Sequence, residues 1–326
     1  MLSLGRYIVG RLIQALFLLV GVSLLTFTII QMAPGSFAEL VGESQDATVE
    51  EKANLSAMYG LDQPVHVQYW RWVQQVARGN FGRSLISGRP VLDMIKERLP
   101  ATIFLNLISI FFIYLIALPI GIISAVKQYS WFDHIATFTA FLGQAMPTFF
   151  FAMLLIYYVA LRVEGIPIAG MATIGLDYKD VTFMTWFIDR ARYIILPLTV
   201  IVLGGLAGLV RFMRASMLDA INQDYIRTAR AKGLSERVVI YKHALRNSLL
   251  PIVTALGFTF SGLLGGSIVI ESIFAWPGVG LLAIQAIFTR DYQVIMAFNM
   301  IGAIMLVLGM LIADILYVVV DPRIKY

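Results

Sequence analysis

Residues 224–234 read DYIRTARAKGL, a short basic segment that separates two of the most apolar regions of the chain. Most of these residues favour a helix, and Gly233 suits the left-handed position at which a helix ends. Ser235 offers an N-cap for a second helix that would lead into the next apolar run. Candidate N-caps for the first helix are Asp219, Asn222 and Asp224. The segment 211–246 is therefore predicted to form a short helix, a glycine turn and a second helix.

The regions around this segment are apolar enough to favour lipid as their solvent. Of the 326 residues, 59% are hydrophobic and 14% are charged, whereas a soluble domain carries roughly 25% charged residues. Six runs lack Asp, Glu, Lys and Arg over about the 20 residues that cross a bilayer. They are Leu12–Met32, Leu99–Val126, Ile135–Leu161, Tyr193–Val210, Asn247–Ile270 and Tyr292–Ala313, and the helix of the last run is expected to continue past Asp314 to about Val319. The expected fold class is an all-α integral membrane protein with six transmembrane helices.

Lys and Arg are unequally distributed between the two sides that six spans create. One side holds both termini with 127–134 and 211–246, and its 68 residues carry 13 Lys and Arg. The other side holds 39–98, 162–192 and 271–291, and its 112 residues carry 12. Because cytoplasmic loops are enriched in Lys and Arg, both termini are predicted to lie in the cytoplasm.

This topology divides the chain into four regions. The cytoplasmic N-terminus and the first helix, read as an uncleaved signal anchor, occupy 1–32. An extracellular segment occupies 33–98, and a five-helix core with the cytoplasmic loop described above occupies 99–320. A cytoplasmic tail, 321–326, ends the chain.

The extracellular segment contains an apolar repeat that predicts an amphipathic helix ending at Gly79. Its members are Val67, Trp70, Val73 and Val76. Two interpretations stay open: the helix lies on the membrane or packs on the bundle, or it forms a docking surface for an extracellular partner. Glycines spaced four apart in 204–208 and 262–266 favour close helix packing, within the chain or with a partner.

The chain lacks the motifs of catalysis, nucleotide binding and metal binding. It has no Cys and no Gly-Lys dipeptide, hence no P-loop, and it contains neither HExxH nor GxSxG. Its three His residues are scattered, and its net charge of +5 is accounted for by inside loops. We therefore expect no catalytic residue, no metal site and no nucleic-acid partner.

A few polar residues in or beside the spans are candidates for a substrate path. Asn106, Gln144 and Asn299 are the uncharged ones, although interhelical hydrogen bonds explain them at least as well. Glu271 and Asp314 lie close to the ends of their spans, where a carboxylate reaches water. For both we favour a structural or interfacial role over proton coupling, and Glu271 is kept as the fourth path candidate.

The charge of the segment 224–234 has a simple explanation, attraction of an inside loop to anionic lipid. That explanation leaves the small side chains of Thr228, Ala229 and Ala231 unexplained. A short helix that has small side chains and ends at a glycine is suited to bind in a groove on another protein.

Longer motifs surround these residues. Within DYIRTARAKGL…HALRNSLLP, Ala229 and Gly233 fit the pattern Glu-Ala-Ala-x-x-x-Gly, whereas Arg227 replaces its Glu and Leu245-Arg246 replaces a Leu-Pro. Three further motifs are TFTIIQMAPGS at the end of the first span, with Ser36-Phe37 following Pro-Gly, ESIFAWPGVG from Glu271 and DPRI from Asp321. Together they resemble the ABC importer permeases, in the B-type subunit of the dipeptide/oligopeptide (peptide/nickel) branch, over nearly the whole chain.

The resemblance implies a permease subunit that pairs with a homologous second permease in the membrane lipid. Two cytoplasmic ATPases, which carry ATP and Mg, and an extracellular peptide-binding protein would complete a bacterial or archaeal importer of di- or oligopeptides. The residues that would couple to an ATPase are Arg227, Thr228, Ala229, Arg230, Ala231, Lys232 and Gly233. Nickel chelate, glutathione or another small solute is the alternative cargo. A stand-alone channel or ion-coupled carrier is disfavoured, because neither mid-span charges nor a repeated half is evident.

Overall fold

A computed structural model describes residues 4–32, 63–176, 181–261 and 267–320. Every regular element in these residues is a helix, and the one extended pairing is an isolated bridge between Arg83 and Pro90. The helices are α1 Leu4–Met32, α2 Val65–Ala77, α3 Val91–Val126, α4 Trp131–Ala145, α5 Thr148–Leu155, α6 Phe183–Ile221, α7 Asp224–Ala231, α8 Glu236–Val238, α9 Leu245–Ser261, α10 Ile268–Ile273, α11 Val279–Phe288 and α12 Tyr292–Val320. Two π-helical segments, Ile156–Ala160 and Val239–Ala244, continue α5 and join α8 to α9. The all-helical prediction is confirmed.

Four of these helices are long and apolar enough to cross a membrane, namely α1, α3, α6 and α12. A fifth span is present if α4 and α5 are counted together as one. The fifth predicted run, Asn247–Ile270, contains the 17-residue helix α9 and the short α10. Between them lie 262–266, outside the described residues. The structure thus supports a multi-pass helical protein with four or five long spans.

The third predicted span is wrong as a single helix. The chain bends by 101° between α4 and the helix that begins at Thr148. Pro147 has no N–H to donate into a helix, and its ring disfavours helical geometry at the residue before it. Met146 accordingly takes an extended conformation, with φ −78° and ψ 129°. The apolar run predicted the length of this region but not the break.

Several sequence predictions concern residues outside the described ranges. Residues 33–62 of the predicted extracellular segment are among them, as are the 262–266 glycines, the tail 321–326 and the side chain of Asp314.

The described residues form two compact units. The first takes the residues up to Arg98 together with Leu282–Val307. In it, α2 packs on α1 through Trp72, whose ring lies 6.0 Å from that of Phe27, and Tyr69 Oη lies 2.8 Å from Ser23 Oγ. The predicted helix is confirmed and ends before Gly79, at φ +76°. Val73 and Val76 of the predicted repeat pack with Phe27 and Trp72, whereas Trp70 is 59% exposed.

The second unit takes Leu99–Leu281 and the residues from Leu308. Its main core packs α3, α6 and α9 around Met213 and Met217, both fully buried. At Gly121 the backbones approach closely, since a Cβ there would lie 2.8 Å from the carbonyl oxygen of Val210. Of the predicted contact glycines, Gly204 and Gly208, which are spaced four apart, have no atom within 4 Å of an added Cβ, whereas their neighbour Gly205 faces Ile113 within the chain.

We expect Gly121→Ala to destabilise the protein by about 1–3 kcal/mol, because the added methyl group overpacks a contact that backbone atoms cannot vacate. Thermal unfolding of the purified variant in detergent measures this. Gly302→Ala is the matched control, since a Cβ at that helical glycine meets no atom within 4 Å. Equal unfolding temperatures for the two variants would contradict the close approach of α3 and α6.

Candidate functional site

Helix α7 is attached to the rest of its unit by two side chains on one face. Ile226 is fully buried and Ala229 is 6% exposed, and they lie three residues apart, which places them one above the other. Both join the core cluster that includes Met217 of α6 and Val239 and Ala244 of the π-helical segment. Burial of an Ile side chain contributes about 1.5–3 kcal/mol. A short helix that is marginal by itself is thereby held in a fixed position.

The start of α7 differs from the prediction, while its end agrees with it. The N-cap is Gln223, which makes no side-chain cap, and the predicted cap Asp224 instead lies in the first turn. Gly233 is at φ +73°. The amide of Gly233 donates to the Arg230 carbonyl at 2.9 Å, and that of Leu234 donates to the Ala229 carbonyl at 3.4 Å. These two bonds form a Schellman motif, which explains the need for glycine at this position.

An ion pair with two hydrogen bonds, here called the Arg230–Glu236 fork, spans the turn after α7. Arg230 Nε and Nη2 donate to the two carboxylate oxygens of Glu236, at 3.1 and 2.6 Å. The hydrogen bond from Arg230 holds the pKa of Glu236 below its ordinary value. Both side chains are exposed, so the pair contributes little to global stability. Its local effect is to fix the direction in which the chain leaves α7.

The exposed face of α7 contains most of the residues assigned to coupling. Arg227, Thr228, Ala231, Lys232 and Gly233 are all exposed in this chain. Thr228 donates from Oγ1 to the Asp224 carbonyl at 3.0 Å, so its hydroxyl is directed at its own helix. The burial of Ala229 gives its small size an intramolecular reason, which differs from the groove contact that the sequence suggested for it. The surface available to another protein is therefore the opposite face.

The four path candidates have different environments. Asn106 is half-buried on α3, and Asn299 is exposed on α12 in the first unit. Gln144 is exposed at the end of α4, and its side-chain oxygen accepts a hydrogen bond from Arg211. Of the four candidates, Gln144 therefore contacts a charged side chain, that of Arg211. Glu271 belongs to a buried hydrogen-bond network.

Glu271 is 1% exposed, and both of its carboxylate oxygens accept hydrogen bonds. Thr102 Oγ1 donates to Oε1 at 2.9 Å, and the amide of Leu281 donates to Oε2 at 3.0 Å. The same Thr102 hydroxyl accepts from the amide of Val279 at 2.8 Å. A Cβ at Gly278 would lie 2.4 Å from both Thr102 Oγ1 and Glu271 Oε2. Only glycine therefore permits this close approach of the backbone. This network orders the ESIFAWPGVG segment and favours the structural role for Glu271.

One buried ion pair was missed at the sequence level. Asp133 is 3% exposed, and Arg214 binds it through two bonds, Nε to Oδ1 at 2.7 Å and Nη2 to Oδ2 at 2.8 Å. Ser124 Oγ and the amide of Tyr129 donate to the same carboxylate. The Ser130-x-x-Asp133 spacing of a helix start was a readable signal for the position of Asp133, because Ser130 caps α4. Its partner on α6 had no such signal.

No group of three or more His, Asp or Glu side chains suited to a metal ion occurs in the described part of the chain.

Comparison with known proteins covers almost all of the sequence. Residues 117–326 match the family described as binding-protein-dependent transport system inner membrane component, and residues 4–106 match the N-terminal family of the same membrane components. The oligopeptide transport system permease protein AppB of Bacillus subtilis is 41% identical over 324 residues, which cover 99% of this chain and 100% of AppB.

Two further relatives have nearly the same coverage. The dipeptide transport system permease protein DppB of Escherichia coli K12 is 37% identical over 98% of this chain and 99% of that protein. The glutathione transport system permease protein GsiC of Salmonella paratyphi A is 36% identical over the same shares.

A solved structure shares the fold. The inward-facing MetNI methionine ABC transporter contains a chain that matches with a TM-score of 0.53 at 18% identity, over 71% of this chain and 98% of that one. The apolar helices, the length of the matches and the two family descriptions agree. The chain belongs to the family of binding-protein-dependent transport system inner membrane components, and it is a multi-pass ABC permease of the bacterial cytoplasmic membrane.

Proposed function

We propose that the chain is the permease subunit of an ATP-driven importer of di- or oligopeptides, and that α7 is its joint with an ATPase. The observation that carries the proposal is a full-length match to peptide permeases combined with a helix α7 that two buried side chains anchor and whose other face is exposed. The chain has no P-loop of its own. ATP and Mg would therefore be bound by partner subunits, and this chain supplies the moving helices.

The anchoring of α7 supports a mechanical role. Because Ile226 and Ala229 pack on residues of α6, the π-helical segment and α9, a displacement of α7 displaces all of them. The Schellman turn and the Arg230–Glu236 fork stiffen the exit from α7. Closure of the ATPases would then bias the bundle between inward- and outward-facing states, as a two-state element worked from another chain.

The proposed assembly contains a homologous second permease, two ATPases and an extracellular peptide-binding protein. Six spans with both termini in the cytoplasm place the loop 211–246 on the ATPase side, and the excess of Lys and Arg in the inside segments supports that orientation. The remaining divisions of the chain, 1–32, 33–98, 99–320 and 321–326, follow from the same topology.

Peptide is favoured as cargo over the alternatives. The relatives are named for oligopeptide, dipeptide and glutathione transport, and glutathione is itself a small peptide. A bare metal ion would require His or carboxylate ligands, of which the spans have few. A stand-alone carrier is opposed by the match to binding-protein-dependent components along nearly the entire chain.

Uptake by the complete importer tests the cargo. With its cognate binding protein outside and ATP inside proteoliposomes, we expect labelled di- and tripeptides to accumulate and nickel chelate not to. Complexes without ATP are the control. Accumulation of nickel chelate with no peptide uptake would contradict the peptide assignment.

Substitution on the exposed face of α7 tests the joint. We expect Ala231→Trp to lower ATP-driven uptake about tenfold or more, because a bulky side chain would obstruct a fitted interface while touching nothing in this chain. Thermal unfolding should stay unchanged, and stimulation of ATP hydrolysis by the loaded binding protein should fall. Ala215→Trp is the matched control, an exposed alanine on α6 in the same predicted cytoplasmic segment. Wild-type uptake by Ala231→Trp would contradict the proposed contact between α7 and an ATPase.

Cysteine labelling tests the topology, since the chain has no native Cys. A thiol introduced at exposed Gln74 should react with a membrane-impermeant maleimide in intact cells, and a thiol at exposed Lys242 only after the membrane is opened. The reverse pattern would overturn the proposed orientation.

A further inference from the structure

Arg211 carries a charge that only uncharged groups contact. Its Nε donates to the carbonyl of Ala207 at 3.3 Å, its Nη2 donates to the Gln144 amide oxygen, and its guanidinium lies 5.0 Å from the centre of the Phe141 ring. None of the carboxylates among the described residues pairs with it. The side chain is thus oriented by three neutral partners, while the N–H groups of Nη1 remain available.

The next arginine on the same helix shows the contrast. Arg214 lies three residues further along α6, and Asp133 neutralises it through a two-bond ion pair. An oppositely charged partner is required where a charge is buried, as at Asp133, whereas Arg211 is partly exposed. Arg214 has one and Arg211 does not, so the charge of Arg211 stays available to an anion from outside the chain.

The position of Gln144 places this charge at the break in the third span. Gln144 lies near the end of α4, close to the middle of the charge-free run 135–161 and just before the bend at Pro147. Gln144, Pro147 and Thr148 are exposed in this chain. Non-helical backbone inside a bilayer must be covered by protein or line an aqueous cavity, and lipid cannot solvate it. Arg211 directly follows the predicted span 193–210, and its hydrogen bond to Gln144 holds the guanidinium beside this break, where a charge is a candidate for a substrate pathway.

An apolar cavity of about 460 Å³ adjoins this position. Gly143 beside Gln144, Met146 and Thr148 at the break, and Ala207 and Val210 on α6 contribute to its wall. Gln144 and Arg211 do not line the cavity themselves, but their chain neighbours Gly143 and Val210 do, so an anion at Arg211 that carries apolar side chains would lie at the edge of this wall. Peptides have that combination, because each unmodified peptide ends in a carboxylate and presents side chains next to it.

We propose that Arg211, oriented by Gln144 and Phe141, binds the C-terminal carboxylate of the peptide during its passage through the permease. A guanidinium forms short, directed bonds with a carboxylate and retains its charge at all relevant pH values. The ring of Phe141 and the amide of Gln144 keep the group in place between transport events. This inference rests on the proposed peptide cargo and adds the residue that recognises it.

Transport of paired peptides gives the first test. Wild-type importer in proteoliposomes is compared with Arg211→Gln for one tripeptide with a free carboxylate and the same tripeptide with a C-terminal amide. We expect Arg211→Gln to lower uptake of the free acid about tenfold, the scale of one lost charge-assisted bond, and to change uptake of the amide less than about twofold. Arg211→Lys should recover part of the loss. Arg192→Gln, an exposed arginine at the other end of α6, is the matched control.

Thiol protection gives a second readout that does not require transport. In the nucleotide-free complex in nanodiscs, the thiol of Thr148→Cys, at an exposed residue of the cavity wall, is labelled with a maleimide while peptide is added directly. We expect the free acid to slow labelling of this chain about tenfold, the amide to slow it much less, and the protection to disappear when Arg211→Gln is added. Equal protection by both peptides, or protection that survives Arg211→Gln, would overturn the inference.

A phospholipid headgroup is the other source of an anionic oxygen, and a change of lipid composition distinguishes it from the peptide carboxylate. If Arg211→Gln reduced uptake in vesicles with phosphatidylglycerol and had no effect in phosphatidylcholine alone, Arg211 would bind a headgroup and the inference would be wrong. Equal loss of both peptide forms would assign Arg211 a structural role instead. Absence of all peptide uptake by the wild-type importer would refute the proposed function itself. If wild-type uptake is normal and Arg211→Gln leaves it unchanged, only the inference about Arg211 is refuted.

Discussion

The burial of Ile226 and Ala229 is the constraint on which the rest of this account depends. An eight-residue helix is too short to be stable alone, and α7 has no side-chain N-cap. Its order comes from two apolar side chains inserted between α6 and the π-helical segment that precedes α9. The same two contacts leave Thr228 and Ala231 on the outside. One packing arrangement therefore both fixes the helix and determines which face another protein can reach.

A second constraint operates at the break in the third span. Pro147 separates α4 from α5, and the exposed backbone around it requires protein or water as a neighbour. Arg211 reaches this place from α6, the helix that continues directly towards α7. The element that carries the proposed carboxylate site is thus also the element on which the proposed ATPase joint is anchored. A shift of α6 would affect both at once.

The sequence predicted the class of the fold and the helix and glycine turn of residues 224–233 well, because both depend on local patterns. Charge-free runs located α1, α3, α6 and α12, and Gly233 marked the end of α7 through its backbone conformation. The face of α7 that is buried was not predictable, since Ala229 suits either a groove on a partner or the interior of its own chain. Pro147 indicates a bend in the sequence, but the length of the apolar run favoured a single straight span.

Long-range pairs were the least accessible to sequence. Arg214 and Asp133 are 81 positions apart, and Thr102 and Glu271 are 169 apart, so no local pattern connects them. The burial of Glu271 was not predictable for this reason: it depends on Thr102 and on the close approach of Gly278, which only the folded chain brings together.

Photo-crosslinking from α7 tests the central claim most directly. A benzoyl-phenylalanine introduced at Thr228, on the exposed face, should form a product between this chain and an ATPase subunit of the assembled importer, and its yield should change between nucleotide-free and ATP-bound complexes. A photo-product confined to lipid, or identical in complexes with and without the ATPases, would contradict the account.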